Sequence, residues 1–145
     1  MTVEQHPLTI LMADDDEDDQ EMTRIALDES RLLNPIEFAN DGQELLDRLR
    51  ACQQHDAMRP GLILLDLNMP RKDGRQALKE LKEDPQLRRL PVIVLTTSKA
   101  EEDILRSYDL GASGFITKPV TFDGLVRVIT AIGEYWFELV EQPTR

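Results

Sequence analysis

Leu62-Ile63-Leu64-Leu65-Asp66-Leu67-Asn68-Met69-Pro70 is the stretch whose reading decides the fold. Four aliphatic residues follow the breaker pair Pro60-Gly61, which reads as a strand buried on both faces. A single carboxylate, Asp66, stands at its end, and Pro70 stops the strand from continuing. In an open parallel sheet, ligands collect outside the carboxyl ends of the strands. Asp66 is therefore expected where chemistry is done.

Strand and helix patterns alternate on either side of it. Thr9 to Ala13 is the first strand, and it runs into six consecutive acids, Asp14 to Asp19. A helix follows, carrying Met22, Ile25, Ala26 and Leu27, with Leu32 and Leu33 near its end. The acid run lies at the strand-to-helix turn. Asp16 to Asp19 are explained by the preference of helix N-termini for negative charge, whereas Asp14 and Asp15 sit nearest the strand end. Ile36 to Ala39 is a second strand, and Leu45, Leu46 and Leu49 mark the next helix. A polar loop is expected from about Ala51 to Gly61, and Arg71 to Gly74 form a loop before the helix of Ala77, Leu78 and Leu81. Val92 to Leu95 is a strand ending in Thr96-Thr97-Ser98, followed by a helix with Ile104, Leu105, Tyr108 and Leu110, stopped by Gly111. The fifth strand, Gly114 to Thr117, ends in Lys118-Pro119.

Five such alternations predict a single (βα)5 domain over residues 9–142, with a flexible lead-in at 1–8 and a tail at 143–145. The sheet is parallel, with helices on both faces, in the flavodoxin-like order 2-1-3-4-5. The net charge of −11 argues against non-specific nucleic-acid binding. No apolar run approaches the ~20 residues of a membrane helix, and Met1 to His6 lack the cationic and apolar regions of a signal peptide. A cytoplasmic protein is expected. Cys52 is the lone cysteine, so no internal disulfide can form.

Asp14, Asp15, Asp66, Thr96 and Lys118 then converge on one edge of the sheet. Clustered carboxylates either hold a proton or admit a cation. Hard oxygen ligands with an incomplete protein shell suit Mg2+, with Mn2+ as the alternative. Calcium fits less well, because Asp19 and Ile25 stand where an EF-hand loop needs Gly and Glu. Asp66 is suited to nucleophilic attack on phosphorus, with Lys118, Thr96 and the metal each neutralising a phosphoryl oxygen.

The pattern Asp14-Asp15, Leu65-Asp66-Leu67-Asn68-Met69-Pro70…Asp73-Gly74, Thr96 and Lys118-Pro119 resembles the receiver domains of two-component response regulators over roughly residues 8–133. The resemblance implies that Asp66 is the phosphoacceptor for a sensor histidine kinase. It also implies that Asp15, Asp66 and the Asn68 carbonyl bind Mg2+ directly, with Asp14 acting mostly through water. By the same resemblance Lys118-Pro119 is a cis peptide, and Thr96 and Phe115 form a switch pair. Phe115 replaces a frequent Tyr, so the hydrogen bond of that hydroxyl is absent. Such a protein is a phosphoacceptor rather than an enzyme with turnover.

The last helix carries Leu125, Ile129, Ile132, Trp136, Leu139 and Val140 on one face, flanked by Val126, Phe137, Val128 and Tyr135. This arc is wider than the ~100° that a core-facing helix needs. A homodimer through Tyr135, Trp136 and Phe137 is expected. The segment Glu134 to Val140 also resembles single-domain regulators paired with bacterial and cyanobacterial phytochrome kinases. Two other classes fit less well. A haloacid-dehalogenase-type phosphatase needs an acid where Asn68 stands, and a flavin carrier needs a phosphate cradle where the acids lie. A binding module independent of phosphate is the third alternative.

Overall fold

The computed structural model describes residues 9–32, 34–52, 60–97, 101–118 and 121–134. The lead-in, the tail, Leu33, most of the expected polar loop, Ser98, the Lys118-Pro119 peptide and the aromatic trio Tyr135, Trp136 and Phe137 lie outside these residues. The elements are β1 (Ile10–Ala13), α1 (Glu17–Glu29), β2 (Ile36–Ala39), α2 (Gly42–Cys52), β3 (Leu62–Leu65), α3 (Gly74–Glu83), β4 (Val92–Thr96), α4 (Glu101–Asp109), β5 (Gly114–Thr117) and α5 (Phe122–Gly133). All strand pairs are parallel, in the order β2-β1-β3-β4-β5. The strand order is the expected one, with Asp66 following the central strand.

Every residue of β1, β3 and β4 is buried. Alternate side chains of these strands feed two separate cores, as the two-residue period of a strand requires. Ile10, Met12, Leu62, Leu64, Ile93 and Leu95 pack with Ala26 and Leu27 of α1 and with Leu125, Ile129 and Ile132 of α5. Leu11, Ala13, Ile63, Leu65, Val92 and Val94 pack with Leu45, Leu46 and Leu49 of α2 and with Ala77, Leu78 and Leu81 of α3. Two apolar layers thus clamp one sheet. The polar ends of the strands are left to form the site.

Several local expectations need correction. β1 starts at Ile10 rather than Thr9, and α2 continues to Cys52, past the point where a loop was expected. Leu32 lies beyond the end of α1 and packs against Gly133 of α5. Ile25 and Tyr108 are not core residues, being 43% and 50% exposed. At ~100° per residue, Ile25 lies about 200° round the helix from buried Thr23, on the solvent side. Among the described residues, Val126 and Val128 are partly buried against the α1/α5 core. Packing accounts for that part of the wide apolar arc.

Candidate functional site

Four of the five strands deliver groups to the carboxyl edge of the sheet. Asp14 follows β1 directly and is fully buried, while Asp15 beside it is exposed. The backbone N–H of Asp16 donates to Asp14 Oδ1 at 2.9 Å, so the turn itself holds that carboxylate inward. Asp16 is the N-cap of α1 and accepts from the N–H groups of Asp18 and Asp19, consistent with its expected role at the helix start. Asp66 follows β3 and is nearly buried. Its Oδ1 accepts from Thr96 Oγ1 at 2.7 Å and from the Asn68 N–H at 3.2 Å.

The loop after β3 is fixed from below. Gly74, the first residue of α3, donates its N–H to Leu67 O at 2.9 Å. A Cβ at this position would lie 2.1 Å from Asp66 O and 2.7 Å from Leu67 Cα. Only glycine lets α3 start this close to the backbone of Asp66. Asp73 caps the helix by accepting from the Gln76 N–H. Arg71 adopts φ +60°, a left-handed conformation that is costly for a side chain with Cβ. Its guanidinium donates twice to Asp41, at 2.7 and 3.0 Å, tying the loop to the start of α2. That hydrogen bonding holds the Asp41 carboxyl below its ordinary range.

Lys118, at the end of β5, reaches across to the first and third strands. Its Nζ donates to Asp14 Oδ2 at 2.5 Å, Asp19 Oδ2 at 2.7 Å and Asp66 Oδ2 at 3.2 Å. Burial pushes the Asp14 carboxyl up to about 6 and outweighs the hydrogen bonds from Lys118 and the Asp16 N–H. Burial opposes the charge on Lys118 as well, but its bonds to Asp14 and Asp19 prevail and hold the ammonium above its usual value. Lys118 is the cation that makes a buried carboxylate cluster tolerable.

Asp14, Asp15 and Asp66 each place an oxygen within 4.8 Å of the others. Hard carboxylate oxygens at this spacing, at a rim open to water, fit a divalent cation that keeps part of its hydration shell. Of the expected site residues, Asp14, Asp66, Thr96 and Lys118 are in direct contact, and Asp15 and Asn68 adjoin them. Phe115 lies on β5, half-buried and packed against the α2/α3 core. The helix-terminus reading of Asp19 is incomplete, since its carboxylate also accepts from Lys118 and belongs to the site. The signal was its place in the first turn of α1, where helical side chains point back toward the preceding strand end.

A model of the response regulator receiver domain matches residues 10–130. The chain belongs to this family. It is 36% identical over 138 residues to the response regulator Rcp1 of Synechocystis, covering 94% of each chain. The crystal structure of phosphorylated RcpA, a cyanobacterial phytochrome response regulator, superimposes with a TM-score of 0.87 at 38% identity, covering 96% of this chain and all of RcpA. RPA3017, a response regulator in red light signalling of R. palustris, gives 0.86 at 31% identity, covering 97% and 100%. Rcp1 has also been crystallised in a Mn2+-bound form, with a TM-score of 0.84 at 36% identity, covering 95% and 100%. The chain is a phospho-accepting receiver in a family of signalling proteins, homologous to the phytochrome regulators Rcp1 and RcpA. No described helix is long and apolar enough to cross a membrane.

Proposed function

We propose that Asp66 receives the phosphoryl group from a sensor histidine kinase, in a phytochrome light-sensing pathway. The observation carrying this reading is the flanking of one carboxylate by Thr96 Oγ1 at 2.7 Å and Lys118 Nζ at 3.2 Å. An Asp66 oxygen attacks phosphorus, and the bond from phosphorus to the donor breaks, its electron pair leaving with the donor. Lys118 and Thr96 are placed to hold two of the phosphoryl oxygens as charge develops on them. Asp14, Asp15 and Asp66, joined by the Asn68 carbonyl, would hold Mg2+, or Mn2+ in its place, which neutralises a third oxygen when bound. By the resemblance to receiver domains, the Thr96 hydroxyl would move from Asp66 to the phosphoryl group, and Phe115, half-buried on the adjoining strand β5, would turn into the space released.

Acetyl phosphate tests the chemistry. One stable, Mg2+-dependent label per chain, mapped to Asp66, is expected. Continuous turnover would revive a phosphatase, and no label would leave a binding module. Transfer from a phytochrome kinase under red and far-red light tests the pathway, and transfer that prefers an unrelated kinase would overturn it.

The output is contact with other proteins at a cytoplasmic location, without nucleic acid, in a receiver spanning residues 9–142. A homodimer through Tyr135, Trp136 and Phe137 accounts for the three consecutive aromatic residues that follow Glu134 in the sequence. Trp136→Ala with Phe137→Ala should convert the dimer to a monomer in sedimentation velocity. A double variant retaining the dimer mass would place the interface elsewhere.

A further inference from the structure

Lys118 carries three N–H donors, and in this structure all three are committed to carboxylates. Two of these, Asp14 and Asp66, belong to the cluster that can hold a divalent cation; the third, Asp19, does not. A cation bound among Asp14, Asp15 and Asp66 would draw on the charge of Asp14 and Asp66 and loosen their hold on Lys118. Asp19 keeps its full charge. It also lies closer to the ammonium than Asp66 does, 2.7 Å against 3.2 Å. Its side chain is one-third exposed while that of Lys118 is one-tenth exposed, so Asp19 is the more solvent-accessible member of the pair.

We propose that Asp19 is a positioning residue that restrains Lys118 and slows phosphoryl capture at Asp66. This rests on the assignment of Asp66 as phosphoacceptor. Two effects act in the same direction. The Asp19 carboxylate competes with the incoming phosphoryl oxygen for a Lys118 N–H, and its negative charge repels the anionic donor. Both depend on the negative charge of Asp19 and not on its place in the first turn of α1. The cap of that helix is Asp16, which leaves the Asp19 side chain free for this task.

Asp19→Asn keeps the size and a hydrogen-bond acceptor but removes the charge. With acetyl phosphate, and with Mg2+ saturating for each variant, its initial rate of Asp66 labelling should rise about fivefold. Asp19→Glu, which restores the charge, should return to within about twofold of the wild-type rate. The advantage of Asp19→Asn should shrink as salt is raised toward ~1 M, where screening reaches ~3 Å. A purely structural role for Asp19 would not give that salt dependence. Labelled wild-type protein with Asp19→Asn no faster, or equally fast in Asp19→Glu and Asp19→Asn, overturns the role of Asp19 and leaves Asp66 as acceptor. Wild-type protein that takes no label brings down the acceptor assignment, and this proposal with it.

Discussion

Asp66→Asn should take no label from acetyl phosphate at any Mg2+ concentration while keeping its fold. The amide nitrogen replaces a nucleophilic oxygen, and the remaining oxygen still serves Thr96 Oγ1 and the Asn68 N–H, which now meet at Asp66 Oδ1 at 2.7 and 3.2 Å. The amide N–H2 then faces Lys118 Nζ, now 3.2 Å from Oδ2, and donor meets donor. Against that loss stands the relief of repulsion from the neighbouring Asp14 and Asp15. The two effects oppose each other and are each of order 1 kcal/mol. The thermal midpoint should therefore stay within about 4 °C of wild type. Calorimetry and intact-mass labelling check both halves. A residual label would mean a second acceptor. A midpoint many degrees lower would mean that Asp66 holds the fold together, contrary to its position at a strand end between two intact cores.

The main architecture was legible because the chain's patterns agree at several levels. Apolar runs alternate with helical spacing, and only a parallel sheet with covered faces buries every residue of Leu62–Leu65 and Val92–Thr96. Asp66, Thr96 and Lys118 could be grouped from sequence because each ends or directly follows a strand, and parallel strands place their ends together. Contacts made by long side chains across loops were not legible. Arg71 meets Asp41 and Arg75 meets Asp103 across 30 and 28 positions of sequence. No periodicity announces such pairs. Asp19 was missed for a different reason. Helix-end electrostatics already explained an acid there, and a sufficient local explanation concealed the longer-range contact with Lys118. Ile25 and Tyr108 show the reverse, since apolar type alone does not imply burial and neither residue joins a core.

Lys118→Ala should produce the largest stability loss in the site, and its pH dependence identifies the cause. Removing the ammonium leaves the fully buried Asp14 without its counter-charge. Breaking a buried pair from one side costs about 3 kcal/mol, so in EDTA at neutral pH the midpoint should fall by about 10 °C. The Asp14 carboxyl is at about 6 in the folded wild type, above its ordinary 3.8. The native state therefore binds more protons than the unfolded chain between about pH 4 and 6, and wild-type stability falls as pH rises through that window. Without Lys118 the carboxyl moves further up and the window extends toward neutrality. The gap between variant and wild type should be widest above pH 7 and should narrow below pH 6, where Asp14 takes up its proton in both. Millimolar Mg2+ should close much of the gap at pH 7.5, because a cation that binds only the native cluster stabilises it by mass action. The variant should still bind the ion, since Asp14, Asp15 and Asp66 remain in place. A gap independent of pH and unmoved by Mg2+ would mean that Lys118 acts through packing of its aliphatic stem, and would separate it from the carboxylates it touches.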